Sequence, residues 1–211
     1  MNAKGDSIGV FNDVRRYSKL FSINVTNPLK VLLFYKNFST IVVLDRFLNV
    51  VNSIDLRKQN IFQVKAIAQS YDNNIWLFDE QNNKLKKIAD DGRVIFETVD
   101  FRTIFDGVPS PTQIFDQDGF VFLYDAEKGV YIFDIYGSFQ SKISYTGLKD
   151  VSVFGKTMIG IEKETIISYT TGTLVEKRLA LPVSMLTRQK TVIMPRYLYV
   201  LQNGVIKQFV F

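Results

Sequence analysis

Histidine and cysteine are both absent from the 211 residues, and this double absence removes more chemistry than any motif present adds. Without imidazole there is no Ser-His-Asp triad, no histidine-bound zinc or iron, and no side chain suited by its ordinary pKa to proton transfer near neutrality. Without a thiol there are no disulfides, thiolate metal sites or cysteine nucleophiles. Catalysis would fall to carboxylates, lysine, tyrosine or an added cofactor, and the sequence marks no catalytic residue, metal site or cofactor.

The carboxylates argue the same way. Asp45, Asp79, Glu80, Asp90, Asp91, Asp125, Asp134, Glu162 and Glu164 fall at breaks between apolar runs, where acids and amides bond their own backbone. A glycoside hydrolase needs two facing carboxyl groups about 5 to 9.5 Å apart. Asp116 is the nearest case of an inward acid, and inner-strand acids are otherwise scarce. A calcium loop would read D-x-[DN]-x-[DN]-G with a later glutamate. Neither Asp72-Asn73-Asn74 nor Asp116-Gln117-Asp118-Gly119 completes it, so both read as hairpin turns. Trp76, Phe78, Tyr124 and Phe133 lie inside apolar runs and read as core between sheets.

Positive charge is concentrated. The net charge is +5, yet residues 1 to 176 carry 20 basic groups against all 21 acidic ones, a balance of −1. The remaining six basic residues, Lys177, Arg178, Arg188, Lys190, Arg196 and Lys207, meet no acid after Glu176. A basic sector built from Arg188, Lys190, Arg196 and Lys207, joined by Arg15, Arg16 and Lys19 from the N-terminus, would attract an acidic protein or an anionic membrane surface. Nucleic acid fits poorly, because no arginine-rich helix, aromatic RNA-binding strand or sustained basic stripe is present.

The elements that would carry these residues repeat. A buried strand, a polar turn, a second strand and an Asn or Gly turn recur at Val31 to Val50, Ile75 to Ile95, Val121 to Phe139 and Met158 to Leu174, with a partial copy from Tyr197 to Phe209. Leu44, Ile88, Phe133, Tyr169 and Phe209 close the third strand of each unit, giving spacings of 44, 45, 36 and 40. A first strand precedes each unit: Phe21 to Val25, Val64 to Gln69, Thr112 to Asp116, Val151 to Phe154 and Met185 to Val192. Four short strands per unit at a period of about 40 to 45 residues specify an all-β chain, a β-propeller of five blades of four antiparallel strands. Residues 1–211 read as a single domain. The last unit lacks a fourth strand, and residues 5 to 12 read like the Asp91-to-Phe96 turn and outer strand. The N-terminal strand is therefore expected to pair with Val205 to Val210 and close the last blade. The longest loop, Asp100 to Pro111, holds Phe101, Ile104 and Phe105, which predict a short helical turn packed between blades.

These repeats resemble the NHL and quinoprotein-like propellers. Thr26-Asn27-Pro28-Leu29-Lys30-Val31, Ile41-Val42-Val43-Leu44-Asp45 and Asn74-Ile75-Trp76-Leu77 further resemble an uncharacterised family of secreted bacterial propeller proteins. That likeness carries no catalytic motif. It implies a periplasmic or extracellular location, and as an alternative architecture a shortened six-bladed relative. Met1 to Ser7 is polar where a signal peptide needs an apolar core, and the longest apolar run, Val31 to Tyr35, is far short of the roughly 20 residues that span a bilayer.

A composition of 46% apolar and 14% aromatic residues suits a core shared between stacked sheets. The expected function is noncatalytic: a scaffold for protein–protein interaction, as an accessory subunit or exported protein. Alternatives are a carbohydrate or small-ligand binder in a central funnel and, third, a carboxylate-based glycoside hydrolase.

Overall fold

Chain reversals set the architecture. Asn73, Asn83, Asp118 and Asn203 adopt φ of +65°, +53°, +50° and +52°, a region that Asn, Asp and Gly enter most easily among residue types. The apolar runs between such points fold back on one another as antiparallel strands. The computed structural model describes residues 9–173, 175–181, 190–194 and 197–210, and they form a five-bladed β-propeller.

Blade 1 comprises β1 (Ser22–Asn27), β2 (Lys30–Tyr35), β3 (Thr40–Asp45) and β4 (Val50–Asp55). Blade 2 comprises β5 (Val64–Gln69), β6 (Ile75–Asp79), β7 (Lys84–Ile88) and β8 (Val94–Glu97). Blade 3 has β9 (Gln113–Gln117), β10 (Phe120–Asp125), β11 (Gly129–Asp134) and β12 (Phe139–Ile143), and blade 4 has β13 (Lys149–Phe154), β14 (Thr157–Glu162), β15 (Thr165–Thr170) and β16 (Val175–Ala180). Blade 5 has three strands among the described residues: β17 (Lys190–Ile193), β18 (Tyr197–Gln202) and β19 (Val205–Val210). Neighbours in sequence are neighbours in each sheet. The contacts divide into two compact units, Met1–Ile114 and Phe115–Phe211.

In the first unit, blade 1 turns Leu32, Phe34, Ile41 and Val43 toward Ile67, Ile75, Leu77 and Ile88 of blade 2, and all are buried. Side chains alternate along a strand, so Leu33, Tyr35, Val42 and Leu44 leave blade 1 on the opposite side. A short helix α1 (Val14–Tyr17) and its flanks cover them with Tyr17, Phe11 and Leu20. The helix is closed by the Arg16 and Tyr17 amides donating to the Asp13 carbonyl at 3.1 and 3.0 Å. Tyr17 stacks on Tyr35 at a centroid distance of 4.8 Å and its hydroxyl lies 3.0 Å from Ser53 Oγ.

The expected N-terminal closing strand, residues 5 to 12, falls largely outside the described residues. Residues 1–8 lie outside the described part; residues 9–12 are not in a strand, and Phe11 packs on blade 1. Burying Phe11, Tyr17 and Leu20 against an otherwise open apolar sheet face is worth about 1.5–3 kcal/mol per large side chain. That gain holds this stretch on blade 1.

The second unit repeats the stacking rule. Phe122, Tyr124, Val130 and Ile132 of blade 3 face Val151, Val153, Met158 and Ile167 of blade 4. Ile161 and Ile166 of blade 4 in turn face Ile193, Leu198 and Val200 of blade 5. Three blades share one irregularity. The pairing of third with fourth strand skips a residue at Val43/Leu44, Lys87/Ile88 and Ile132/Phe133, a bulge that sharpens local twist. The expected turn in the long loop exists as a 3-10 turn at Phe101–Thr103, with Phe101 buried against Phe78 at 5.9 Å and Phe105 at 5.4 Å.

Candidate functional site

Most of the turn acids hold the structure. Asp45 Oδ1 accepts from the amides of Phe47 and Asn49 at 2.8 and 2.9 Å, and Asp134 Oδ1 accepts from Tyr136 and Ser138, both at 2.9 Å. These equivalent turns explain why acids recur at that point of the repeat. Asp79 is fully buried, pairs with Lys86 Nζ at 2.9 Å and accepts from the Asn82 side chain at 2.7 Å. Asp72-Asn73-Asn74 is a turn, with the Asn74 amide donating to Asp72 Oδ1 at 3.1 Å. Asp118 and Gly119, both at positive φ, reverse the chain between β9 and β10.

Buried lysines complete these clusters. Lys87 Nζ lies 2.8 Å from Asp72 Oδ2, 4.6 Å from the centre of the Trp76 ring and 5.0 Å from that of Tyr71. Burial by itself would raise the Asp72 pKa; hydrogen bonds from Lys87, Asn74 and Ser70 outweigh it and bring the value down to about 2. Lys30 reaches from blade 1 to Asp90 and to the Asn73 carbonyl of blade 2. The sequence reading placed Trp76 in the core but did not foresee the cation over it. The available signal was the lysine-rich strand Leu85-Lys86-Lys87-Ile88 opposite an aromatic strand. Tyr145, whose pKa is pushed up to about 12 by burial and then by Glu176, hydrogen-bonds that carboxylate, which also pairs with Arg178.

Of the predicted basic residues, Arg15, Arg16 and Lys19 belong to the first unit and Lys190 and Lys207 to the second. Arg15 and Arg16 are exposed on α1 and Lys19 is exposed just after it. Arg16 lies over the Tyr17 ring at 5.1 Å. Among the described residues, no carboxylate sits within ion-pair distance of these three cations, whereas Arg57, Lys84, Lys86, Lys87, Arg102 and Lys190 all have one. Lys190 Nζ is 2.6 Å from Asp150 Oδ1, and Asp150 also accepts from the Thr191 amide at 3.1 Å, so this lysine helps fasten blade 4 to blade 5. Lys207 donates to Gln202 at 3.0 Å. Arg188 and Arg196 lie outside the described residues.

Beside the N-terminal cations an open cleft of about 500 Å³ runs between the segment and blade 1, lined by Phe11, Asn12, Asp13, Lys19, Leu20 and Tyr35 among others. Tyr35 titrates above its ordinary value, through burial first and then Asp13 and Tyr17. Ser18 turns the chain at φ +62°, which places Lys19 at the cleft while Tyr17 points into the core. Such an arrangement offers cationic donors beside an apolar wall.

No family model matches the chain, and no curated protein matches it. Solved structures match in fold. Virginiamycin B lyase from Staphylococcus aureus is 13% identical over 95% of this chain and 73% of that one, with a TM-score of 0.61. The Pan2 WD40 domain of Neurospora crassa is 12% identical over 87% of this chain and 58% of that one, also at 0.61. A protein of unknown function from Bacteroides caccae is 9% identical over 91% and 78%, at 0.54. At these identities the similarity establishes the propeller fold and nothing finer.

Proposed function

We propose that the chain is a noncatalytic β-propeller scaffold that binds an acidic surface of another protein through Arg15, Arg16 and Lys19. The observation that carries this reading is a cluster: three exposed cations within five residues stand on a well-packed cap beside an apolar cleft, and among the described residues no carboxylate lies within ion-pair distance of them. Free cations beside an apolar cleft supply attraction and orientation for an acidic segment, which raises the association rate and fixes register. Arg16, held over the Tyr17 ring, presents its guanidinium with less conformational freedom to lose.

The lyase likeness does not bring lyase chemistry with it. That enzyme is catalytically inactive when one histidine is replaced by alanine, and this chain has no histidine. The resemblance to secreted bacterial propellers favours an exported accessory role, outside the cytoplasm.

The test is comparative capture from cells of the source organism, with wild type and an Arg15→Glu/Arg16→Glu/Lys19→Glu variant as baits. The reading expects a stoichiometric protein partner that is recovered at least tenfold less with the variant and is displaced by a polyglutamate peptide. Equal recovery with both baits would sink it.

A further inference from the structure

The cleft on blade 1 differs in chemistry between its lining and its margin. Phe11, Leu20 and Tyr35 give it apolar walls, and Asp13 is the carboxylate in its lining. The Asp13 charge reaches the wall: Tyr35 titrates above its ordinary value through burial first and then through that carboxylate. Cations stand at the margin. Lys19 lines the opening and is exposed. Lys36, directly after Tyr35, holds its Nζ over the Phe21 ring at 5.2 Å, and Phe21, directly after Leu20, is 52% exposed. The Phe21 amide donates to the Phe34 carbonyl at 2.9 Å, which ties this aromatic–lysine pair to the end of β2. Lys30 and Lys65 of the same unit have carboxylate partners. Among the described residues Lys36, like Arg15, Arg16 and Lys19, has none within ion-pair distance.

We propose that this cleft is an anchor pocket that admits one bulky uncharged side chain, phenylalanine or leucine, from a partner segment whose flanking residues are Asp or Glu. The proposal rests on Arg15, Arg16 and Lys19 being the site for an acidic protein, and it names the acidic segment they select. Three observations specify that occupant. The apolar walls together with Asp13 disfavour a carboxylate inside the cleft and favour an apolar side chain. Lys19 and Lys36 come from the two segments that form the cleft, so carboxylates are wanted beside the anchor rather than in its place. The volume of about 500 Å³ has room for a large side chain and the backbone that carries it.

An extended segment advances about 3.3 Å per residue, so acids within roughly three residues of the anchor meet the long side chains of Lys19, Lys36, Arg15 and Arg16. Charge steers the segment to the cap and sets its register, while the buried anchor slows its departure. A peptide with acids alone keeps the first effect and loses the second. Filling the cleft with a large apolar side chain is expected to tighten binding at least about tenfold over alanine.

Fluorescence anisotropy of the full chain at low salt tests this with two labelled peptides, Glu-Glu-Phe-Glu-Glu and Glu-Glu-Ala-Glu-Glu. The wild type is expected to bind the first with a dissociation constant on the order of 100 μM and the second at least tenfold more weakly. Asn12→Trp, at an exposed position of the lining, fills the cleft and is expected to reduce the affinity for the first peptide to that for the second. Lys36→Glu is expected to weaken the first peptide at least threefold. Equal affinity of wild type for the two peptides overturns the proposal, as does a first peptide that fails to bind at about 1 mM. A folded Asn12→Trp protein that keeps the full preference for phenylalanine overturns it too. The Arg15→Glu/Arg16→Glu/Lys19→Glu variant separates this proposal from the one it rests on. Equal peptides that both weaken in that variant sink the anchor pocket and leave the cationic site standing; a phenylalanine preference that survives there at unchanged affinity does the reverse.

Discussion

At the scale of single residues, buried charge and backbone conformation make the sharpest predictions. The folded pKa of Asp72, about 2, lies below its ordinary 3.8, so its ion pair with Lys87 stabilises the protein above pH 4 and that contribution is lost as pH falls toward 2. Asp72→Asn is expected to cost up to about 1 kcal/mol at pH 7, since solvent screens the exposed side of the pair, and to converge on wild type near pH 2. Urea denaturation at the two pH values measures the difference, and an equal gap at both would contradict the assignment. Gly129 sits at φ +99°, and a Cβ there would lie 2.2 Å from the Ile143 carbonyl oxygen. Gly129→Ala is expected to destabilise by at least about 3 kcal/mol, because the strain adds to a clash with backbone that cannot swing aside. A variant that melts with the wild type would refute that reading. The sequence made Gly129 legible as a turn residue and Trp76 as core. It did not make the Lys87 cage legible, since strand lysines ordinarily face water and only the packing of Tyr71 and Trp76 around this one reveals its burial.

At the scale of elements, four blades read clearly because Asn, Asp and Gly at the reversals fixed the register of each hairpin. The strand Val64–Gln69 matches its expected bounds, the other first strands of blades 1, 3 and 4 shift by one to a few residues at their ends, and the expected strand Met185 to Val192 lies mostly outside the described residues. The cap on blade 1 was not legible in the sequence, because it depends on the apolar back of that blade, which is visible only once Leu33, Tyr35, Val42 and Leu44 are known to leave the sheet on that side. Tyr17→Ala should therefore uncap the first blade, at a cost of about 3 kcal/mol, with Tyr17→Phe losing only the Ser53 hydrogen bond, about 1 kcal/mol. Chemical denaturation distinguishes these; a Tyr17→Ala protein as stable as wild type would show that the cap is not integral.

At the scale of the whole molecule, repetition fixed the blade count and left the activity open, as expected of a fold that hosts many functions. What separates this chain from a generic propeller is the cap of Phe11, Tyr17 and Leu20 on its first blade, with Arg15, Arg16 and Lys19 exposed on it. Among the described residues no helix is long and apolar enough to cross a membrane. The claim on which the functional account rests is that an acidic protein is held at the cap. The most direct measurement is the dissociation constant of the captured partner for wild type and for the Arg15→Glu/Arg16→Glu/Lys19→Glu variant, taken at low and high salt. The account predicts at least a tenfold weakening in the variant at low salt and a gap that narrows as salt screens the contact. Identical affinities for the two proteins, with the same salt dependence, would contradict it.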